Sequence, residues 1–198
     1  RHIGSEDCLV LSVYAHAVPS FHRSPHDPVM SYIHGSLFVA GDLWAHEAFY
    51  GGTVAVRSEV VVVCLQYRLG VFGFLALEEL REEARSTGNY GMIDQRAALT
   101  WVNNNGYHFG GNPARLIVWG GWADGAVSAC FHALSPGSQG MASGMIMQST
   151  GCTFNKLRAE AARLESVSEF LVSHRKLRLR ANCTYDGSSA QGKLECLR

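Results

Sequence analysis

The stretch Leu116-Ile117-Val118-Trp119-Gly120-Gly121-Trp122-Ala123-Asp124-Gly125-Ala126 constrains this chain more than any other. An apolar run of strand character meets a glycine-flanked corner and continues into residues suited to a helix. Glycines on both sides of such a corner let strand and helix approach without a side-chain clash. The spacing is that of a G-x-S-x-G turn, in which a sharp bend exposes a nucleophilic serine. Here Gly121-Trp122-Ala123-Asp124-Gly125 carries both glycines and no serine. A methyl group at position 123 leaves the bend intact, because a small residue fits it, but removes the oxygen that would attack.

Strands and helices alternate around this corner. Residues 7–14 are β-rich, and 19–28, with their prolines, histidines and serines, read as an exposed loop. A strand returns over 29–34 and ends in His34-Gly35-Ser36-Leu37-Phe38, and Gly41-Asp42 marks a turn. The run 60–67 is apolar and β-branched, which predicts a central strand covered on both faces. Residues 77–85 carry charges at helical spacing and read as a solvated helix or turn. Over 91–105, Ile93, Ala97 and Trp101 recur every four residues and predict an amphipathic helix with Asp94 in its first turn, favourable to the helix dipole. After a turn at 109–113 come the corner strand, a helix over 123–134 stopped by Ser135-Pro136-Gly137, a short strand over 144–149 and an amphipathic helix over 156–172. The segment 181–198 reads as a loop. This alternation predicts a doubly wound α/β sheet.

Seventeen basic residues balance seventeen acidic ones, so no net field draws the chain to nucleic acid or to an anionic membrane surface. Any binding must come from a local site. The longest apolar runs, such as 60–65, fall far short of the ~18 residues of a membrane span. With 198 residues, 47% of them hydrophobic, the chain is long enough for one domain with a sizeable core. Arg1 opens it without a methionine or an apolar leader, so a signal peptide is expected outside this sequence, and both ends read as cuts. The six cysteines, at 8, 64, 130, 152, 183 and 196, include no C-x-x-C pair suited to zinc. Cys183 and Cys196 are spaced as if by design, and Asn182-Cys183-Thr184 fits the N-glycosylation acceptor rule. Together they point to a secreted protein or to the extracellular face of the plasma membrane.

Several ordered motifs resemble the carboxylesterase/cholinesterase family of α/β-hydrolases, and the likeness runs over nearly the whole chain. Ser5-Glu6-Asp7-Cys8-Leu9 matches the family's S-E-D-C-L, and Pro28-Val29-Met30 leading to His34-Gly35 matches the approach to its H-G-G-G-F oxyanion loop. Tyr67-Arg68-Leu69-Gly70 with Gly73-Phe74-Leu75 matches Y-R-L-G-x-x-G-F-L. Gly88-Asn89-Tyr90-Gly91 with Asp94-Gln95-Arg96-Ala97-Ala98-Leu99 matches G-N-x-G-x-x-D-Q-x-x-A-L, and Phe109-Gly110-Gly111-Asn112-Pro113 resembles F-G-G-D-P. The resemblance implies a partial α/β-hydrolase fold, with a mostly parallel central sheet and helices on both faces. Residues 1–198 would be the N-terminal part of a single carboxylesterase-type domain, with the triad's acid and histidine following later.

Counting from Phe109 places the nucleophile at Trp122, whereas counting back from Ser135-Pro136 places it at Ala123; the second register keeps both elbow glycines and is preferred. Either way three parts of the family's acyl-transfer apparatus are altered. The nucleophile is missing, Gly35-Ser36-Leu37 replaces three glycines of the oxyanion loop, and Asp124 brings a carboxylate to a place where negative charge should be stabilised. The resemblance therefore implies a non-catalytic relative, of the binding or adhesion kind, acting on an unidentified protein partner. The alternative is an active serine hydrolase of small carboxylic esters with a divergent elbow. Neither needs a cofactor.

The resemblance also implies a disulfide loop between Cys183 and Cys196 and a partner for Cys8 upstream of Arg1. Cys64, Cys130 and Cys152 read as buried free thiols. His34 reads as a structural neighbour of the site, Ser128 and Cys130 as helix-interior residues unable to substitute for the nucleophile, and Trp101, Trp119 and Trp122 as core or pocket filling. His22 and His26 have a metal-like spacing that Pro25 and Pro28 deny a helix. Arg68 and Asp94 are predicted to form an ion pair.

Overall fold

A computed structural model describes residues 7–16, 27–35, 37–76, 80–82, 85 and 88–152. Ser36, His22, His26, Asn182, Cys183, Cys196 and the predicted helix over 156–172 lie outside the described residues. The chain divides into two compact units, one formed by 1–69 and 91–152, the other by 70–90 and 153–198. In the second, α2 (Gly70–Phe74) is a single short turn, and Gly88, at φ +83°, turns the backbone so closely over Ala76 that a Cβ would lie 2.9 Å from the alanine's own. Arg81, Glu82 and Arg85 are exposed, consistent with a solvated 77–85 segment.

The first unit is built on a five-stranded sheet in the order β1-β3-β2-β4-β5. Its strands are β1 (Leu11–Tyr14), β2 (Asp27–Ile33), β3 (Val61–Leu65), β4 (Gly111–Gly120) and β5 (Gly144–Met147). Only β1 runs antiparallel to its neighbour; the pairs β2/β3, β2/β4 and β4/β5 are parallel. All five residues of β3 are buried, as its unbroken apolar sequence predicts for a strand covered on both faces, although β2 rather than β3 is the middle strand.

Side-chain alternation along the registered strands separates two faces. One carries Tyr32, Val62, Cys64 and Trp119, which pack with Leu43 and Ala55 of α1 (Leu43–Ser58). The edge-on contact of the Tyr32 and Trp119 rings, with centroids 4.8 Å apart, holds β2 to β4 on this side. The opposite face carries Val29, Ile33, Val61, Val63, Leu65, Leu116 and Val118. Here Gly106, just past α3 (Tyr90–Asn105), sits where a Cβ would touch both Val29 and Val102.

Helix α1 runs on through two glycines, Gly51 and Gly52. Gly51 is required by packing: a Cβ there would come within 2.7 Å of the Tyr14 ring. The helix start is fixed from outside, Leu43 N–H donating to Gln66 Oε1 at 3.0 Å.

Helix α3 forms where predicted but buries a different face. Met92, Asp94, Gln95, Leu99 and Val102 point inward, while Ile93 and Ala97 are exposed and Trp101 half-buried. The apolar four-residue repeat misleads because two of the inward positions are polar and are satisfied by partners. Asp94 is the fifth helical residue, past the first turn. Its carboxylate accepts from Arg68 Nε at 2.7 Å, from the far guanidinium nitrogen at 2.8 Å and from the Arg68 backbone N–H at 3.1 Å, so the predicted ion pair is present. Gln95 Oε1 accepts from His132 Nε2, 3.0 Å away, and Gln95 Nε2 donates to Ser128 Oγ at 3.1 Å. With His132 Nδ1 2.9 Å from Ser138 Oγ, this buried chain joins α3 to α4 (Trp122–Leu134) and to the turn that follows it.

The cysteines require a correction. Cys130 and Cys152, read as free thiols, form a disulfide with their Cα atoms 5.6 Å apart, because α4 runs beside the chain leaving β5. Cys64 is buried, as read from the sequence, and neither it nor the half-buried Cys8 takes part in that disulfide.

Candidate active site

The sheet delivers two backbone segments to one place. Strand β2 ends at Ile33 and leads into His34-Gly35, and the adjacent parallel strand β4 ends at Gly120 and leads into α4. Gly121 N–H donates to Ile33 O at 3.1 Å, which locks the corner of β4 onto the end of β2.

Three glycines at the corner are imposed by contact. A Cβ on Gly120 would overlap the Gly125 carbonyl, one on Gly121 would overlap the Tyr32 hydroxyl, and one on Gly125 would lie 2.5 Å from Ile33 O. The bend itself falls at Trp122, whose φ of +61° is left-handed, while Gly121 is extended at φ −94°. The strained apex is thus Trp122, one residue before the preferred Ala123, which sits exposed in the first turn of α4. A left-handed backbone costs a residue with a Cβ about 1–2 kcal/mol, so surrounding packing must hold it. The Trp122 side chain is 58% exposed, which corrects its reading as core or pocket filling; Trp119 is buried as predicted.

The facing loop has an equally unusual backbone. Leu37 and Phe38 are consecutive non-glycine residues with φ of +61° and +57°. Leu37 is 77% exposed, so its side chain avoids a clash by pointing to solvent. Gly35 is pressed against the corner, where a Cβ would lie 2.6 Å from both Asp124 Oδ1 and Trp122 Cβ. Asp124 ties the two segments together: Phe38 N–H donates to Asp124 Oδ2 at 2.9 Å. The carboxylate is buried, and its place in the first turn of α4 puts it in the favourable field of the helix N-terminus. Neither Phe38 nor its amide stands out in the sequence, since the bond spans 86 residues.

Behind the loop, the Tyr67 hydroxyl donates to His34 O at 2.9 Å, and the two rings stack with centroids 4.7 Å apart. Burial, reinforced by the Asp124 charge and then by Tyr32, pushes the Tyr67 phenol well above its ordinary range, so it stays a donor. His34 is fully buried and supports the loop. Ser128 is buried and receives the Gln95 amide, and Cys130 is spent in its disulfide, so neither is at the bend. Among the described residues no group of three His, Cys, Asp or Glu side chains could hold a metal ion, and no helix is long and apolar enough to cross a membrane.

Of the residues singled out in the sequence, Gly35, Leu37, Gly121, Trp122, Ala123, Asp124 and Gly125 are brought together. The clamp has a measurable consequence. Asp124→Ala strands the Phe38 amide and is expected to cost about 1–3 kcal/mol in urea unfolding. Asp124→Asn keeps an oxygen acceptor and should lose less; equal losses for the two variants would show that the bond contributes nothing.

The carboxylesterase family model matches residues 1–198. An acylcarnitine hydrolase of Mus musculus is 42% identical over 196 residues, covering 98% of this chain and 31% of the relative. An acetylcholinesterase of Electrophorus electricus is 42% identical over 145 residues, covering 73% and 22%. Among solved structures, a PNB esterase superposes with a TM-score of 0.70 at 33% identity, covering 97% of this chain and 38% of that one. The chain thus spans about a third or less of the length of these relatives. With the family model matched along its whole length and the fold shared with a solved esterase, the chain belongs to the carboxylesterase family and has part of the α/β-hydrolase fold.

Proposed function

We propose that this chain, the N-terminal part of a carboxylesterase-type domain, keeps the esterase frame without ester hydrolysis and acts by binding a protein partner. The observation that carries this reading is the residue at the left-handed apex: an indole, with no hydroxyl or thiol, stands where the bend would present a nucleophile. Two further features support it. The Asp124 carboxylate already accepts the Phe38 amide of the facing loop, and its charge opposes an oxyanion forming nearby. The glycines of the family's loop are replaced at Ser36 and Leu37. The acceptor sequence at Asn182 and the cysteines at 183 and 196 favour a secreted or cell-surface setting, with a Cys183–Cys196 loop and a glycan on Asn182.

The alternative, hydrolysis of small carboxylic esters, draws on the names of the relatives, hydrolases and esterases of the same family. A chromogenic acetate ester separates the two. In serine hydrolases of this kind, removing the nucleophile costs on the order of 10⁶-fold in kcat. The purified full-length protein is expected to release chromophore no faster than the buffer control; saturable release above that control would establish the hydrolase instead.

A further inference from the structure

We propose that the Cys130–Cys152 disulfide is a thiol-addressable latch that holds strand β5, the last of the described strands, and, through it, the end of β4 next to the bend. The two sulfurs are unequally placed: Cys130 is fully buried in α4, whereas Cys152, five residues past the end of β5, is exposed. Attack is therefore directed to one end of the bond. A thiolate of a dithiol reductant adds to Cys152 Sγ and breaks the Sγ–Sγ bond, and Cys130 leaves as a thiolate that takes a proton from solvent. The second thiol of the reductant closes on the mixed disulfide and frees Cys152 as a thiol. The cystine gains two electrons and two protons, and the dithiol loses the same.

The segment that the bond holds is short and partly exposed. Among the described residues, strand β5 has four residues, pairs with β4 alone, and exposes Ile146 and Met147 by 38% and 40%. Such a strand belongs to the low-stability end of a structure. The segment that follows is connected to the corner: Gln148 N–H donates to Gly120 O at 3.0 Å, and Trp119 Nε1–H donates to Gln148 Oε1 at 2.8 Å. Closing a loop of 22 residues restricts the opened chain. Opening the latch thus loosens β5 and the Gln148 contacts while leaving β2 and β3, each paired on both sides, in place.

The test uses the whole chain, alkylated with iodoacetamide with and without dithiothreitol and mapped by peptide, alongside amide hydrogen exchange. Cys130 and Cys152 should alkylate only after reduction, and the amides of 145–148 should then exchange about tenfold to a hundredfold faster, with those of β2 and β3 unchanged. Cys152→Ala should show the fast exchange over 145–148 without reductant and no further change there when it is added. Alkylation of both cysteines without reductant, β5 exchange that does not change on reduction, a rise of β2 and β3 by the same factor, or a Cys152→Ala chain whose 145–148 amides still respond to dithiothreitol would each overturn the proposal.

Discussion

Gly120→Ala is expected to destabilise the fold by about 3 kcal/mol or more, at or beyond the upper end of ordinary overpacking, because the obstacle is backbone. The added methyl would overlap the Gly125 carbonyl and lie 2.7 Å from Ala126 Cα. Relief requires moving α4 away from the end of β4. That movement is opposed by the Gly121–Ile33 hydrogen bond and by Gly125, which rides directly on the Ile33 carbonyl. For a chain of this size the loss corresponds to a fall in Tm of roughly 10 °C. Gly151→Ala is the control, since a Cβ there meets nothing within 4 Å, and it should leave Tm unchanged. Equal melting of the two variants would show that the corner is not closely packed.

The second large effect is a loss of stability in acid that one histidine governs. Burial, with the Arg96 charge adding to it, lowers the His132 pKa from 6.5 to about 4. The sign follows from the proton count. Between pH 6.5 and 4 the unfolded chain takes up a proton on this imidazole that the folded chain excludes, so stability falls as pH drops through that window. The full penalty, present below pH 4, is roughly 3 kcal/mol. Above pH 6.5 both states hold the ring neutral and the contribution vanishes. Urea midpoints measured from pH 7.5 to 4 should therefore fall more steeply for the native chain than for His132→Gln. Parallel curves would mean that the ring titrates normally and that its bonds to Gln95 and Ser138 do not exclude the charged form.

Much of this architecture is legible without coordinates, and for identifiable reasons. Strand β3 and the 116–120 half of β4 are apolar runs, and in a parallel sheet covered on both faces that is the whole signal, whereas the turn expected over 109–113 is in part strand, because Gly111, Asn112 and Pro113 open β4 beside β2. The glycines of the corner announce a close approach, which the contacts at 120, 121 and 125 confirm. The failures are of another kind. The buried face of α3 is misread because Asp94 and Gln95 are polar yet buried, and their partners, Arg68, Ser128 and His132, are distant in sequence. Gly51, inside helix α1 where glycine is locally unfavourable, serves Tyr14 of another element. Which cysteine meets which is a matter of tertiary geometry, so Cys130 and Cys152 carry no local mark of their bond.

At the site, what matters most is a backbone angle. Periodicity and motif counting leave the apex at 122 or 123, because both registers satisfy part of the pattern. The left-handed φ of Trp122 distinguishes the two positions, and glycine spacing alone does not report it. The Asp124–Phe38 bond is similarly invisible to motif reading, yet it changes the meaning of the substitution: the carboxylate that would oppose an oxyanion also holds the loop whose Leu37 and Phe38 adopt left-handed backbone.

The most direct measurement is covalent. The folded protein is incubated with a fluorophosphonate, which reports only a nucleophile activated as in a serine hydrolase, and adducts are mapped by peptide mass. No phosphonyl group on any residue from Gly120 to Ser128, at reagent levels that fully label an active esterase, is the predicted result. A stoichiometric adduct in that segment would contradict the reading of Trp122 and Asp124 as the end of catalysis at this bend.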